Sequence, residues 1–251
     1  MMTNNNMYFV ANWKMYGNLS SINSIKSVKI FNQSKKLKNI KIIYCPPFTL
    51  LRPLVKKLKN SKISVGAQNC HHNSDFGPFT GSVNAKMVKS VGCKYIILGH
   101  SENRHNGETD KIINLKIKSA LKENLKVIFC IGETLKEKRN RKTRIILRKQ
   151  IMSGLKNMTK LNNIIIAYEP VWSIGSGKIP KSKELNNAIE YIKSLTIKKN
   201  KLKNNKVLYG GSVNPKNIKN LSKIGSIDGF LIGGASQKSK NFIDIIKKTI
   251  N

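Results

Sequence analysis

A carboxylate stands at the end of the most strand-like stretch of this sequence. Ile164, Ile165 and Ile166 form an apolar, β-branched run, Glu169 closes it, and Pro170 ends any further sheet pairing. Trp172 and two glycines, Gly175 and Gly177, follow before a polar helical pattern begins near Ser182. A base on a rigid strand end, then a loop with a stiff start and a glycine-rich middle, suits a lid over a reacting ligand. The plain alternative is a strand-to-helix loop with a solvated glutamate. Other reactive groups sit at the same kind of place, just past a short apolar run. Asn12 and Lys14 follow Tyr8-Phe9-Val10-Ala11, and His100 follows Tyr95-Ile96-Ile97-Leu98-Gly99. Gly210-Gly211 leads into Ser212, and Gly233-Gly234 leads into Ala235-Ser236. A carboxylate can serve as general base, an imidazole as hydrogen-bond donor to a substrate oxygen, and a lysine as the cation beside a developing oxyanion. Glycine pairs let backbone N–H groups approach a phosphate. The set fits proton transfer next to a carbonyl on a small phosphorylated substrate, with no metal and no cofactor expected.

These groups are far apart in sequence, so the elements between them must bring them together. Strand patterns are predicted at Tyr8–Ala11, Ile40–Tyr44, Ile63–Ala67, Tyr95–Leu98, Val127–Ile131, Ile164–Tyr168, Val207–Tyr209 and Gly229–Ile232. Helical spacing is predicted over Asn18–Lys35, Leu50–Leu58, Ala85–Ser90, Asp110–Glu123, Lys183–Lys198, Asn214–Leu221 and Asn241–Ile250, with one long basic helix over Thr134–Met158. Strict alternation of strand and helix implies a parallel sheet with helices outside. Eight such units over 1–251 fit an α/β fold of the closed (β/α)8 barrel type, read as a single domain. The rival, an open doubly wound sheet, lacks its glycine-rich fingerprint after the first strand. In a barrel all strand C-termini open on one face, and the phosphate position follows the seventh and eighth strands, where the two Gly-Gly pairs fall. The longest irregular segment, Cys70–Val83, is of a length that usually contacts a partner or carries function.

Composition excludes some classes and raises one. The 251 residues carry 47 Lys+Arg against 12 Asp+Glu, a formal net charge of +35. Such a charge suggests a nucleic-acid partner, or a basic scaffold on a barrel fold. The lysines, however, are spread over nearly every helix and turn, without a basic tail or interleaved aromatics, which reads as a biased surface and makes nucleic acid an unexpected partner. The four cysteines, Cys45, Cys70, Cys93 and Cys130, form no C-x-x-C pair and read as buried thiols of a reducing compartment. No stretch is long and apolar enough to span a bilayer, so no membrane and a cytoplasmic location are expected.

The motifs together resemble triosephosphate isomerase along essentially the whole chain. The matching stretches are Ala11-Asn12-Trp13-Lys14-Met15, Ala67-Gln68-Asn69, Gly99-His100-Ser101-Glu102, Cys130-Ile131-Gly132-Glu133-Thr134, Tyr168-Glu169-Pro170-Val171-Trp172, Tyr209-Gly210-Gly211-Ser212-Val213 and Gly229-Phe230-Leu231-Ile232-Gly233-Gly234-Ala235-Ser236. The resemblance implies interconversion of dihydroxyacetone phosphate and D-glyceraldehyde 3-phosphate. It implies Glu169 as base and His100 as the neutral group that polarises the carbonyl, the known pairing of this family. It further implies that Lys14 and Asn12 hold substrate and charge, and that Glu102 supports the site beside the histidine. Gly175, Ser212, Gly233 and Gly234 are implied phosphate ligands, and Pro170–Lys178 the closing lid. The family is usually a homodimer, and Thr80 matches the tip of the loop that reaches the partner's Asn12 region. The sequence departs from the family at Ser82 and Asn103, near that contact, and is one residue short before Gly107-Glu108. In the lid, Ser173 and Ser176 stand where Ala and Thr are usual, and Pro180 removes a backbone donor just past its end.

Overall fold

The computed structural model describes residues 6–34, 37–158, 161–200 and 205–250. Eight strands alternate with helices: β1 (Met7–Asn12), α1 (Ile25–Phe31), β2 (Ile40–Cys45), α2 (Leu51–Lys57), β3 (Ser64–Ala67), α3 (Ala85–Ser90), β4 (Tyr95–Leu98), α4 (Ser101–His105), α5 (Asp110–Lys122) and β5 (Lys126–Ile131). The second half holds α6 (Leu135–Arg139), α7 (Thr143–Gly154), β6 (Ile164–Tyr168), α8 (Ser182–Asn200), β7 (Val207–Tyr209), α9 (Ile218–Ser222), β8 (Gly229–Ile232) and α10 (Ser239–Ile250). The strands close in chain order into a parallel barrel, β8 pairing back onto β1 with Tyr8 opposite Gly229 and Ala11 opposite Ile232. This is the (β/α)8 architecture the alternation predicts. Among the described residues, no helix is long and apolar enough to cross a membrane.

Side-chain alternation along the strands explains why the barrel holds two cores. Val10, Ile43, Cys45, Ile97, Ile128, Cys130, Ile165, Ala167, Leu208 and Leu231 fill the inside as one buried cluster. Their chain neighbours, among them Phe9, Tyr44, Ile96, Leu98, Phe129, Ile166, Tyr209 and Phe230, point outward into a second cluster shared with the helices. Both faces are buried, which is why the strands read as continuous apolar runs rather than as alternating ones. Cys45, Cys70, Cys93 and Cys130 are all buried free thiols, as their contexts suggest.

Helix lengths correct the sequence reading in three places. The long basic helix over 134–158 is two helices, α6 and α7, separated by Arg141 at φ 55°. A straight helix of that length would run roughly 37 Å, well past strands that rise only ~17–20 Å. The Thr134–Glu137 capping box starts α6, and the left-handed turn lets α7 bury Leu147 and Ile151. The helices predicted from Asn18 and Leu50 begin instead as 3-10 turns, Ser20–Ser24 and Phe48–Leu50, before α1 and α2. Lys35, the predicted end of the first of these, lies outside the described residues. The turn after His100 is a short helix, α4.

Candidate active site

Five strand ends supply the site. Asn12 is the last residue of β1, and Lys14 follows it in the left-handed region at φ 54°, a conformation that a non-glycine residue keeps only when its surroundings hold it. Lys14 N donates to Asn12 Oδ1 at 3.1 Å, and Gln68 Nε2 donates to the Lys14 carbonyl at 2.8 Å. The ammonium, aimed back over the mouth of the barrel, meets Glu102 Oε1 at 2.5 Å.

His100 leaves β4 as the N-cap of α4. Its Nδ1 accepts the Glu102 backbone N–H at 3.2 Å, an orphan donor of the first helical turn. An Nδ1 that accepts leaves Nε2 as the ring nitrogen free to donate. That Nε2–H faces Glu169 Oε1 at 3.1 Å, and the Ser101 N–H donates to Glu169 Oε2 at 3.2 Å. Both side chains are almost sealed from solvent, His100 being 5% and Glu169 2% exposed. Burial raises the Glu169 carboxyl above its ordinary value; the His100 ring, the Ser101 N–H and the Lys14 ammonium only partly offset it.

The close fit of Glu169 depends on glycines beside it. A Cβ on Gly132 would lie 1.8 Å from the Glu169 carbonyl oxygen, and one on Gly210 would lie 2.8 Å from its Cγ. Gly132→Ala is therefore expected to destabilise the fold by about 1–3 kcal/mol and to displace the carboxylate, lowering turnover as well as the melting temperature. Thermal melts and turnover measured together check this; a variant matching the parent in both would contradict it.

The loop after β6 is anchored at its start by a second buried carboxylate. Glu133, 1% exposed, accepts from Tyr168 OH at 3.1 Å and Trp172 Nε1 at 3.1 Å, and its carbonyl accepts the Val171 N–H. Burial raises the Glu133 carboxyl as well. Val171–Ser173 forms a 3-10 turn after Pro170, and Gly175 and Gly177 take positive φ of 68° and 74° in the exposed middle. Gly177 N donates to Ser212 Oγ at 3.1 Å, bringing this loop against the one after β7.

One cavity of about 230 Å³ lies among these groups, lined by Asn12, Lys14, His100, Glu169, Gly175, Ser212, Gly233 and Gly234 together with Ile174, Gly210, Gly211, Val213, Asn214, Leu231 and Ala235. Eight sequence-predicted residues thus share one wall. Glu102 is outside the lining but touches Lys14 and holds Oε2 3.7 Å from His100 Nδ1. Thr80 is elsewhere, on the exposed 70–83 loop. Sequence reasoning gave no role to Ser101, whose contribution is a backbone N–H. It also gave none to Arg104, which donates to the Gly99 carbonyl at 2.7 Å and the Cys130 carbonyl at 3.2 Å, tying β4 to β5. The signal for Arg104 was its place four residues after His100, where the resemblance to the family keeps the second of two arginines.

A parallel eight-stranded barrel with a buried carboxylate–imidazole pair, a lysine and two glycine pairs on its C-terminal face defines a (β/α)8-barrel enzyme of small anionic substrates. Comparison with known proteins makes this specific. The family profile for triosephosphate isomerase matches residues 7–249. A triosephosphate isomerase of Carboxydothermus hydrogenoformans is 40% identical over 250 residues, covering 97% of this chain and 98% of its own. One from Dehalococcoides mccartyi is 41% identical over 242 residues, 94% of each chain. The crystal structure of triosephosphate isomerase from Bartonella henselae superposes with a TM-score of 0.89 at 32% identity, over 98% of this chain and all of the other. The chain belongs to the triosephosphate isomerase family, isomerases that interconvert dihydroxyacetone phosphate and D-glyceraldehyde 3-phosphate.

Proposed function

We propose that Glu169 and His100 carry out the proton transfers of this isomerisation. Glu169 takes a proton from the carbon beside the carbonyl of the triose phosphate. The His100 Nε2–H, turned from the carboxylate to the substrate, polarises that carbonyl and stabilises the enediolate, and Glu169 returns the proton to the neighbouring carbon. Lys14 and Asn12 hold the substrate oxygen and the developing charge, with Glu102 fixing the ammonium. The N–H groups of Gly175, Ser212, Gly233 and Gly234 cradle the phosphate, and Pro170–Lys178 closes over it to keep water from the intermediate. The observation that carries this reading is the 3.1 Å approach of two buried groups, His100 Nε2 and Glu169 Oε1, at the wall of the cavity that the two glycine pairs also line. A coupled assay on the parent and Glu169→Gln proteins tests it, and parental turnover in the variant would overturn the assignment.

The whole chain acts in this reading as one domain in the cytoplasm, consistent with four buried thiols and no pairing among them. It works as a homodimer in which the 70–83 loop, with Thr80 near its tip, docks beside the partner's site. Support comes from apolar side chains left exposed on and near that face, Phe76 at 68%, Phe79 at 41% and Met15 at 94%. Sedimentation is expected to give twice the 28.3 kDa chain mass. Phe79→Asp is expected to shift the population to single chains; a single-chain mass for the parent protein contradicts the dimer.

A further inference from the structure

The hydroxyl of Ser173 occupies a position that the proposed chemistry leaves unused. Ser173 is fully buried at the first turn of the lid. Its Oγ donates to the carbonyl of Lys178, at the far end of the lid, at 2.6 Å. With its single proton so placed, the oxygen accepts from Tyr209 OH, the last residue of β7, at 2.9 Å. It also receives the Ser212 N–H at 3.4 Å, while Ser212 Oγ donates to the Ser173 carbonyl at 2.8 Å. One hydroxyl therefore joins the entry of the lid, its exit and the rim after β7. The surroundings are shaped for it. A Cβ on Gly211 would lie 2.6 Å from Ser173 Oγ and 2.2 Å from Tyr209 OH, so only glycine leaves room for the pair. Pro180, buried just past Lys178, has no N–H to offer at that end of the lid.

We infer that Ser173 is a positioning residue, a latch that holds both ends of the lid so that Gly175 stays against the anion end of the cavity. The inference rests on the phosphate cradle proposed above. Without the hydroxyl, Tyr209 OH and the Lys178 carbonyl lose their shared partner, the lid spends less time over the cavity, and the phosphate group is held less tightly. The loss is expected mainly in binding, with a smaller effect on kcat because the same lid shields the intermediate.

The test uses competitive inhibition by inorganic phosphate and the KM for triose phosphate in Ser173→Ala, Tyr209→Phe and the double variant. Each single change is expected to raise both constants about fivefold, the worth of one hydrogen bond, with a smaller change in kcat. The double variant is expected to be no worse than Ser173→Ala alone, because that change already removes the bond to Tyr209. Should Ser173→Ala fail to fold, Ser173→Cys, which keeps nearly the same volume with a much weaker hydrogen-bonding group, carries the same comparison. A rise below threefold in the folded single variants, or effects that multiply in the double variant, overturns the latch. Failure of phosphate to compete in the parent protein overturns the phosphate cradle itself, and the latch with it.

Discussion

Glu169→Gln is expected to lower kcat by about 10²–10⁴-fold, the usual contribution of a positioned general base. The amide keeps the size of the side chain, so KM should move far less. The same substitution separates function from stability. Glu169 is buried, and its carboxyl is raised above the ordinary carboxylate value mainly because burial disfavours the charged form. The sign then runs opposite to that of a salt-bridged carboxylate. Above the raised folded value the group is ionised in both folded and unfolded chains, and the folded state carries the cost of an ion taken out of water. As pH falls through that value the folded protein binds the proton first and the cost disappears. Glu169→Gln removes the charge altogether, so the variant is expected to melt at or above the parent temperature at neutral pH. The difference should shrink on acidification. Turnover of the parent should fall with acid at a pH higher than an ordinary glutamate would give, since the base must be ionised to act. Turnover close to parental, or a variant markedly less stable at neutral pH, would contradict this account of the residue.

The second large effect is expected at His100. His100→Gln should lower kcat about 10²–10³-fold, comparable to deleting one donor to a developing oxyanion. The tautomer gives an independent check that needs no kinetics. Because the Glu102 N–H donates to Nδ1 at 3.2 Å, ring ¹⁵N shifts at neutral pH should report a bare Nδ1 and a protonated Nε2. A proton on Nδ1, or a variant within tenfold of the parent, would remove the histidine from its proposed role. The neutral ring suits its partner: an imidazolium 3.1 Å from Glu169 would strengthen the pull on the carboxylate and weaken it as a base.

Much of the site was legible because the fold places function at repeating sequence addresses. Asn12, His100, Glu169 and the two glycine pairs each follow an apolar run, and closing such runs into a ring puts their ends on one face. Lys14 could be singled out among so many basic residues only by that address. What escaped notice were groups whose contribution does not depend on side-chain type. Ser101 acts through its N–H, and Gly132 acts by having no side chain where the Glu169 carbonyl passes. The split of the predicted 134–158 helix escaped for a different reason. Residues 136–144 contain no proline or glycine to mark the break, and only the height of the barrel limits how far one helix can run.

The order of the eight strands, their closure into a parallel barrel and the strand ends from which reactive groups project were determined by the sequence itself. Apolar period and glycine position are local properties that any reader of the chain can measure. Tertiary structure alone decided the approach of His100 Nε2 to Glu169, the raised carboxyl of Glu169 and the meeting of Ser173 with Tyr209. Each of these depends on which groups from other strands pack around a residue and shut it from water. Burial and hydrogen-bond partners are properties of that packing and have no counterpart in the order of residues along the chain.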